Sequence, residues 1–167
     1  MKNSIVKTIT RNAIVAAIYF LLTFAGSSFS FGAVQVRLAE ALVLLCFFRR
    51  DYIFGLTIGC LLANLFSPIL PWDLLIGTAA TFVSCLCISL VKHLGFALVF
   101  PVIFNGFAVG AELYYLTETN FWMAVGFVSL GEFISVCILG YLLFFFLRKN
   151  KQFLEIIGAN RNLDFKW

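Results

Sequence analysis

The chain has 167 residues, 62% hydrophobic and 12% charged, against roughly a quarter charged in an ordinary soluble domain, and its mean hydropathy is +1.02. Twelve basic and eight acidic side chains cannot cover a body of 18.7 kDa that also carries 21 Phe, so a water-soluble domain is excluded and the solvent is lipid. A disordered chain, a disulfide scaffold and a nucleic-acid binder are excluded too, because the net charge of +4 is spread along the sequence and not gathered into one basic stripe.

A membrane helix needs about 20 apolar residues to cross roughly 30 Å of hydrocarbon. Residues 12–36, 52–72, 74–91 and 94–111 are free of charge, and 119–147 is interrupted only by Glu132. These stretches give five full-length spans. Between Arg37 and Arg49 a further apolar segment carries Glu40; as an α-helix it would reach only about 16 Å. That second helix therefore starts inside the membrane, and the Gly- and Ser-rich segment 26–36 before it is expected to fold back as a re-entrant loop, which survives at membrane depth only against protein or a wet cavity. The expected fold is an all-α integral membrane protein of six transmembrane helices near 5–26, 38–48, 52–66, 74–92, 94–115 and 121–147. Ser67 and Pro68 would end helix three early and leave it short as well. The chain reads as one membrane domain over 1–167 with a short amphipathic tail, 148–167. The first apolar stretch is too long for the core of a secretory signal and lacks a small-residue cleavage site, so it is kept as a helix.

Alternating helices place Lys2, Lys7 and Arg11, then Arg49 and Arg50, then Lys92, then Arg148, Lys149 and Lys151 on one side. Positive loops stay in the cytoplasm, which puts both termini there. The outer and intramembrane part then holds one basic residue, Arg37, against Glu40, Asp73, Glu112, Glu118 and Glu132. With helix five running outward and helix six inward, Asn105, Glu112 and Glu132 approach one depth, which Asn64, Glu40 and the loop residue Gln35 also reach. An ionisable group in hydrocarbon costs at least about 2.5–3.5 kcal/mol, so such residues are rarely kept without a partner or a wet cavity.

Each has a structural reading beside the functional one. Asp73 stands between Trp72 and a helical run from Leu74, where an N-cap belongs. Glu118, among Thr117, Thr119 and Asn120, reads as a solvated loop residue. Arg37 and Glu40, one turn apart, could neutralise each other, and Gln35 could satisfy loop backbone. For Glu112, Glu132 and Asn105 no Lys or Arg remains to pair with both glutamates, which favours ligand contact. Such an acidic pocket suits a cationic ligand or one with adjacent N–H donors. Trp72, Trp122, Tyr114 and Tyr115 could stack on a flat ring or serve as ordinary interfacial aromatics. Cys46, Cys60, Cys85, Cys87 and Cys137 lie in apolar stretches with no metal-ligand spacing to the single His93 and read as small apolar fillers.

The phosphate loop GxxxxGK[ST], the zinc motif HExxH and the nucleophile elbow GxSxG are absent from the sequence. The chain therefore binds no cofactor of its own by these signs, and driven transport would draw on a partner that hydrolyses ATP. Six helices, several of them short, are few for an inverted-repeat transporter. Ala13-xxx-Ala17 on helix one forms a small-residue face on which another helix could dock.

FGAVQVRLAEAL (31–42), GLTIGCLLANLFSP (55–68), WDLLIGTAAT (72–81), PVIFNGFAVGAEL (101–113) and the GE of 131–132 together resemble the QueT family over nearly all of the membrane part. The resemblance implies the substrate-capturing S component of an energy-coupling factor (ECF) importer in a bacterial cell membrane, taking up precursors of the nucleoside queuosine. It implies association with a transmembrane T component, through Ala13 and Ala17, and with two cytoplasmic ATPase subunits. Gln35, Arg37, Glu40, Asn64, Asp73, Asn105 and Glu132 fall within the matching segments. The expected ligand, 7-aminomethyl-7-deazaguanine, has a guanine-like N–H edge and an ammonium. One of Glu112 and Glu132 would grip the edge, the other or Glu40 would face the ammonium, and Asn105 would read the carbonyl. Rival readings are an S component for another cationic vitamin such as thiamine, a small membrane enzyme using Glu112 and Glu132 as acid and base, and an assembly subunit without a ligand.

Overall fold

Continuous apolar runs bounded by charge or by Gly and Pro form helices, because lipid leaves backbone groups no other partner than their own helix. A computed structural model describes residues 2–30 and 34–163 and is all-helical, with no strand among the described residues. The helices are α1 (Lys2–Ala25), α2 (Leu38–Phe48), α3 (Tyr52–Asn64), α4 (Trp72–Leu90), α5 (Leu94–Leu116), α6 (Phe121–Leu147) and a short α7 (Lys151–Ile156). Four of them, α1, α4, α5 and α6, are long and apolar enough to cross a membrane. The charge-free run 52–72 carries a helix of only 13 residues, because the chain turns at Leu65–Ser67.

Between α1 and α2 the chain makes a single helical turn, Ser27–Ser30, and is extended at Arg37. Residues 31–33, part of the expected re-entrant loop, lie outside the described residues. Helix α2 begins as a 3-10 helix, Leu38–Leu44, and ends as an α-helical turn, Leu45–Phe48. The steeper rise of the 3-10 turns stretches α2 to roughly 20 Å, longer than the α-helical 16 Å and still short of a bilayer. Helix α6 is wound as a π-helix over Phe133–Gly140, immediately after Glu132. Asn120 caps α6 by accepting from the backbone N–H groups of Trp122 and Met123 at 3.0 and 3.4 Å.

The short α2 is the centre of the molecule and touches α1, α3, α4, α5 and α6. Phe47, Phe48, Leu44, Leu56, Tyr52 and Phe144 are among the largest side chains buried around it. Helix α1 lies close on α3 because Gly59 has no side chain: a Cβ there would come 2.9 Å from Ala16 O and 2.9 Å from Tyr19 Cβ. Such close backbone approach through small residues is how membrane helices associate without a hydrophobic driving force. The outer faces of the helices expose Ile5, Ile9, Phe54, Leu75, Phe96 and Phe146, an apolar belt suited to lipid.

The tail is folded back onto the body and is more than an amphipathic extension. Asn160 N–H donates to Phe48 O at 3.2 Å, Asn162 Nδ2 to Phe47 O at 2.8 Å and to Val91 O at 3.2 Å, and Arg161 Nη1 to Ser89 O. These carbonyls lie at the C-terminal ends of α2 and α4, where a helix is commonly capped by donors from outside it. Arg49 and Tyr52 fix the same segment by donating to Gly158 O at 3.0 Å and Ile157 O at 2.9 Å.

Candidate functional site

A membrane protein is expected to be apolar outside, and any buried polar residue then needs a reason. Gln35, Arg37, Glu40, Asn64, Asp73, Asn105, Glu112 and Glu132, drawn from five helices and the preceding loop, are all at most 5% exposed. The structure gathers them around one guanidinium. Arg37 Nε donates to Ser30 O at 3.3 Å, Nη1 donates to Asn64 Oδ1 at 3.1 Å, and Nη2 lies 3.8 Å from Asp73 Oδ2. Glu40, Glu112 and Glu132 also lie within electrostatic reach of Arg37. Four buried carboxyl groups thus share a single guanidinium.

Asn64 links α3 to α4, its Nδ2 donating to Asp73 O at 2.9 Å, Thr78 Oγ1 at 3.2 Å and Cys60 Sγ at 3.4 Å. Asp73 is not the N-cap that its neighbours suggest. Helix α4 begins one residue earlier, at Trp72, and the Asp73 carboxylate instead accepts from Ser67 Oγ and faces Arg37. Arg37 and Glu40 lie a turn apart as expected, yet the hydrogen bonds of Arg37 run to Ser30 and Asn64, and those of Glu40 to Tyr19 and Thr81. On the far side of the layer Asn105 Nδ2 donates to Glu132 Oε1 at 2.9 Å, joining α5 to α6. Glu112 is set against Asp73 with both carboxylate oxygens buried and hydrogen-bonded to no donor.

The loop reaches this layer through a glycine. A Cβ on Gly131 would lie 2.5 Å from Gln35 O and 2.7 Å from Gln35 C, so only glycine lets the loop backbone rest on α6 beside Glu132. Gln35 is itself 5% exposed. Buried acceptors remain around the layer: Glu40 Oε2 and Glu132 Oε2 have no hydrogen-bond partner. An unmatched buried acceptor usually costs about 1–3 kcal/mol and more when charged, so these two oxygens are held in the layer at a cost in stability.

Tyr19, Ser30, Thr78 and Thr81 also belong to the layer although the sequence reading passed over them, and so do Ser67, read only as a helix stop, and Cys60, read as an apolar filler. For α4 a signal was present: Thr78, Thr81 and Ser84 repeat every three residues inside an apolar helix, the spacing of one inward face. The cysteines are free thiols, three of them buried, and Cys60 is a polar contact of Asn64 and Thr81 as well as a filler. Glu118 is exposed, as a loop residue should be. Trp122 and Tyr115 are 70% and 82% exposed, and Tyr114 and Phe121 pack edge-on against them, so these rings form a rim and do not line the layer. Trp72, Glu112 and Tyr115 share a groove of about 430 Å³ between α4 and α5. Ala13 and Ala17 are exposed on α1, and Ala13 lines a shallow apolar groove with Ile9, Gly55 and Ile58.

A family model described as QueT transporter matches residues 9–149. The chain belongs to the QueT transporter family. The match spans α2 to α6, the loop before α2 and all but the first residues of α1, so every residue of the polar layer lies inside the matched region. A protein of Lactococcus lactis subsp. cremoris (strain MG1363) named "Queuosine precursor transporter QueT" is 35% identical over 155 residues, which cover 83% of this chain and 90% of that one. No solved structure matches. With its apolar helices, the QueT-family chain is a multi-pass membrane protein of transport.

Proposed function

We propose that the chain is the S component of an ECF-type importer and captures a queuosine precursor, 7-aminomethyl-7-deazaguanine or a related deazaguanine, from outside a bacterial cell. In this reading the whole chain is one membrane domain of six transmembrane helices, α2 and α3 being short, with residues 26–36 as a re-entrant loop over the pocket. Both termini are cytoplasmic, and ATP is consumed by two partner ATPase subunits acting through a T component. The role is capture and delivery, without chemistry on the ligand.

The observation that carries the reading is the Asn105–Glu132 pair. A guanine-like edge presents two adjacent N–H donors beside a carbonyl, and a carboxylate next to an amide N–H is its complement. Glu132 takes the donors through Oε2 and the free lone pairs of Oε1. Asn105, one N–H of which holds Glu132 Oε1 at 2.9 Å, offers its other N–H to the carbonyl. Thiamine has no carbonyl beside such donors, so the pair favours the deazaguanine. Glu40 and Glu112 supply the remaining negative charge for the ammonium. Arg37, Asn64, Asp73 and Gln35 hold the loop and the helix ends around the ligand.

Calorimetry on purified Glu132→Gln and Glu112→Gln tests the carboxylate grip. Losing one charge-assisted contact weakens affinity by about 1.5–3 kcal/mol, a ten- to hundredfold change. Unchanged affinity in both variants removes the model. Replacing Ala13 and Ala17 with Leu should stop uptake in cells and leave binding intact, whereas normal uptake would place the T-component contact elsewhere.

A further inference from the structure

The polar layer treats its carboxylates differently. Asp73 faces a cation and accepts a hydroxyl, and Glu132 is held by an amide. Glu40, on the first turn of α2 and fully buried, is held by two neutral hydroxyls from two other helices. Tyr19 O–H of α1 and Thr81 O–H of α4 both donate to Glu40 Oε1, the latter at 3.4 Å, and Cys60 Sγ donates to Thr81 Oγ1 at 3.4 Å. Hydroxyl donors stabilise a carboxylate without cancelling its charge, and they fix which oxygen is occupied. The other oxygen, Glu40 Oε2, is buried with no hydrogen-bond partner.

Tyr19 cannot easily turn away. Its ring is fully buried and its Cβ lies over Gly59 of α3, where an added Cβ would come within 2.9 Å. The phenol is therefore a fixed donor on a rigid helix, the arrangement that presents a charge to a ligand without ordering cost at the moment of binding. Helix α2 lies close on α6, where a Cβ on Gly140 would come 3.3 Å from Ala41 Cα, and Glu40 is within electrostatic reach of Glu132, so the two carboxyl groups belong to one layer.

We infer that Glu40 Oε2 is the counter-ion of the ligand's cationic arm, and that Tyr19 and Thr81 are positioning residues that set the preference for a ligand bearing an ammonium over the same ring without one. The inference rests on the capture reading above and assigns within it the carboxylate that faces the ammonium.

The test is calorimetry on the full chain in detergent with two probes, 7-aminomethyl-7-deazaguanine and its uncharged 7-cyano counterpart. Tyr19→Phe keeps the ring and removes only the donor. It should weaken the aminomethyl probe about tenfold and the cyano probe less than about twofold. Thr81→Val, close in shape to the native residue, should shift the ratio in the same direction by about threefold and serves if Tyr19→Phe melts early. Glu40→Gln should erase the preference between probes. Equal weakening of both probes by Tyr19→Phe and Thr81→Val, or none, overturns the inference. Glu132→Gln separates it from the capture reading: that variant should weaken both probes alike, and if neither it nor Glu112→Gln weakens either probe the capture reading itself fails.

Discussion

Arg37 is the residue whose loss should cost the fold most, and the structure sets the size of the effect. Arg37→Met keeps the apolar stem and removes the guanidinium, which in the native protein bonds Ser30 O and Asn64 Oδ1 and faces Asp73 Oδ2 at 3.8 Å. Asp73 is 1% exposed, so the variant leaves a buried carboxylate without its cation. Breaking a buried pair in this one-sided way costs about 3–5 kcal/mol. For a chain of this length each kcal/mol is worth about 2–4 °C, so the melting temperature in detergent should fall by about 6–20 °C. The double variant Arg37→Met/Asp73→Asn removes the uncompensated charge while keeping an acceptor for Ser67, and should recover at least about half of that loss. A single variant melting within about 2 °C of the native protein, or a double variant falling by the sum of the two single losses, would refute the argument that Arg37 compensates Asp73.

Two further substitutions probe how the layer is held. Gly131→Ala puts a methyl group 2.5 Å from Gln35 O, so the loop must lift from α6; overpacking of about 1–3 kcal/mol should appear as at least fivefold weaker ligand affinity by calorimetry. Ending the chain at Asn150 removes the donors that reach Phe47 O, Phe48 O, Ser89 O and Val91 O, each worth about 0.5–1.5 kcal/mol. A lower melting temperature with ligand affinity within about twofold of native is the expected result, read by thermal unfolding and calorimetry on one preparation.

Much of this fold was legible because lipid imposes a length on apolar runs. Gaps between charges placed α2 and α6 at the observed residues, 38–48 and 121–147, and α5 to within one residue at its end. The buried polar layer was legible for the same reason, since Asn105, Glu112 and Glu132 stand out in otherwise apolar helices. What was not legible depends on partners distant in sequence. The 3-10 winding of Leu38–Leu44 and the π-winding of Phe133–Gly140 have the same apolar composition as an α-helix, and the two segments meet where α2 packs against α6, a contact that sequence spacing does not record. Asp73 has the local pattern of a cap, but Arg37 and Ser67 decide its role. Tyr19, in an aliphatic stretch of α1, reads as one more lipid-facing aromatic until Glu40 is seen beneath its hydroxyl. The tail looks like a solvated extension because its docking sites are backbone carbonyls, which no side-chain pattern records.

The central claim is that a buried acidic layer in this chain selects a deazaguanine. Native mass spectrometry of the purified protein, offered equal concentrations of 7-aminomethyl-7-deazaguanine, guanine and thiamine, tests it most directly. The account predicts one adduct per chain at the mass of the aminomethyl deazaguanine, lost in Glu132→Gln. An adduct of thiamine in its place, or folded protein with no adduct, would contradict it.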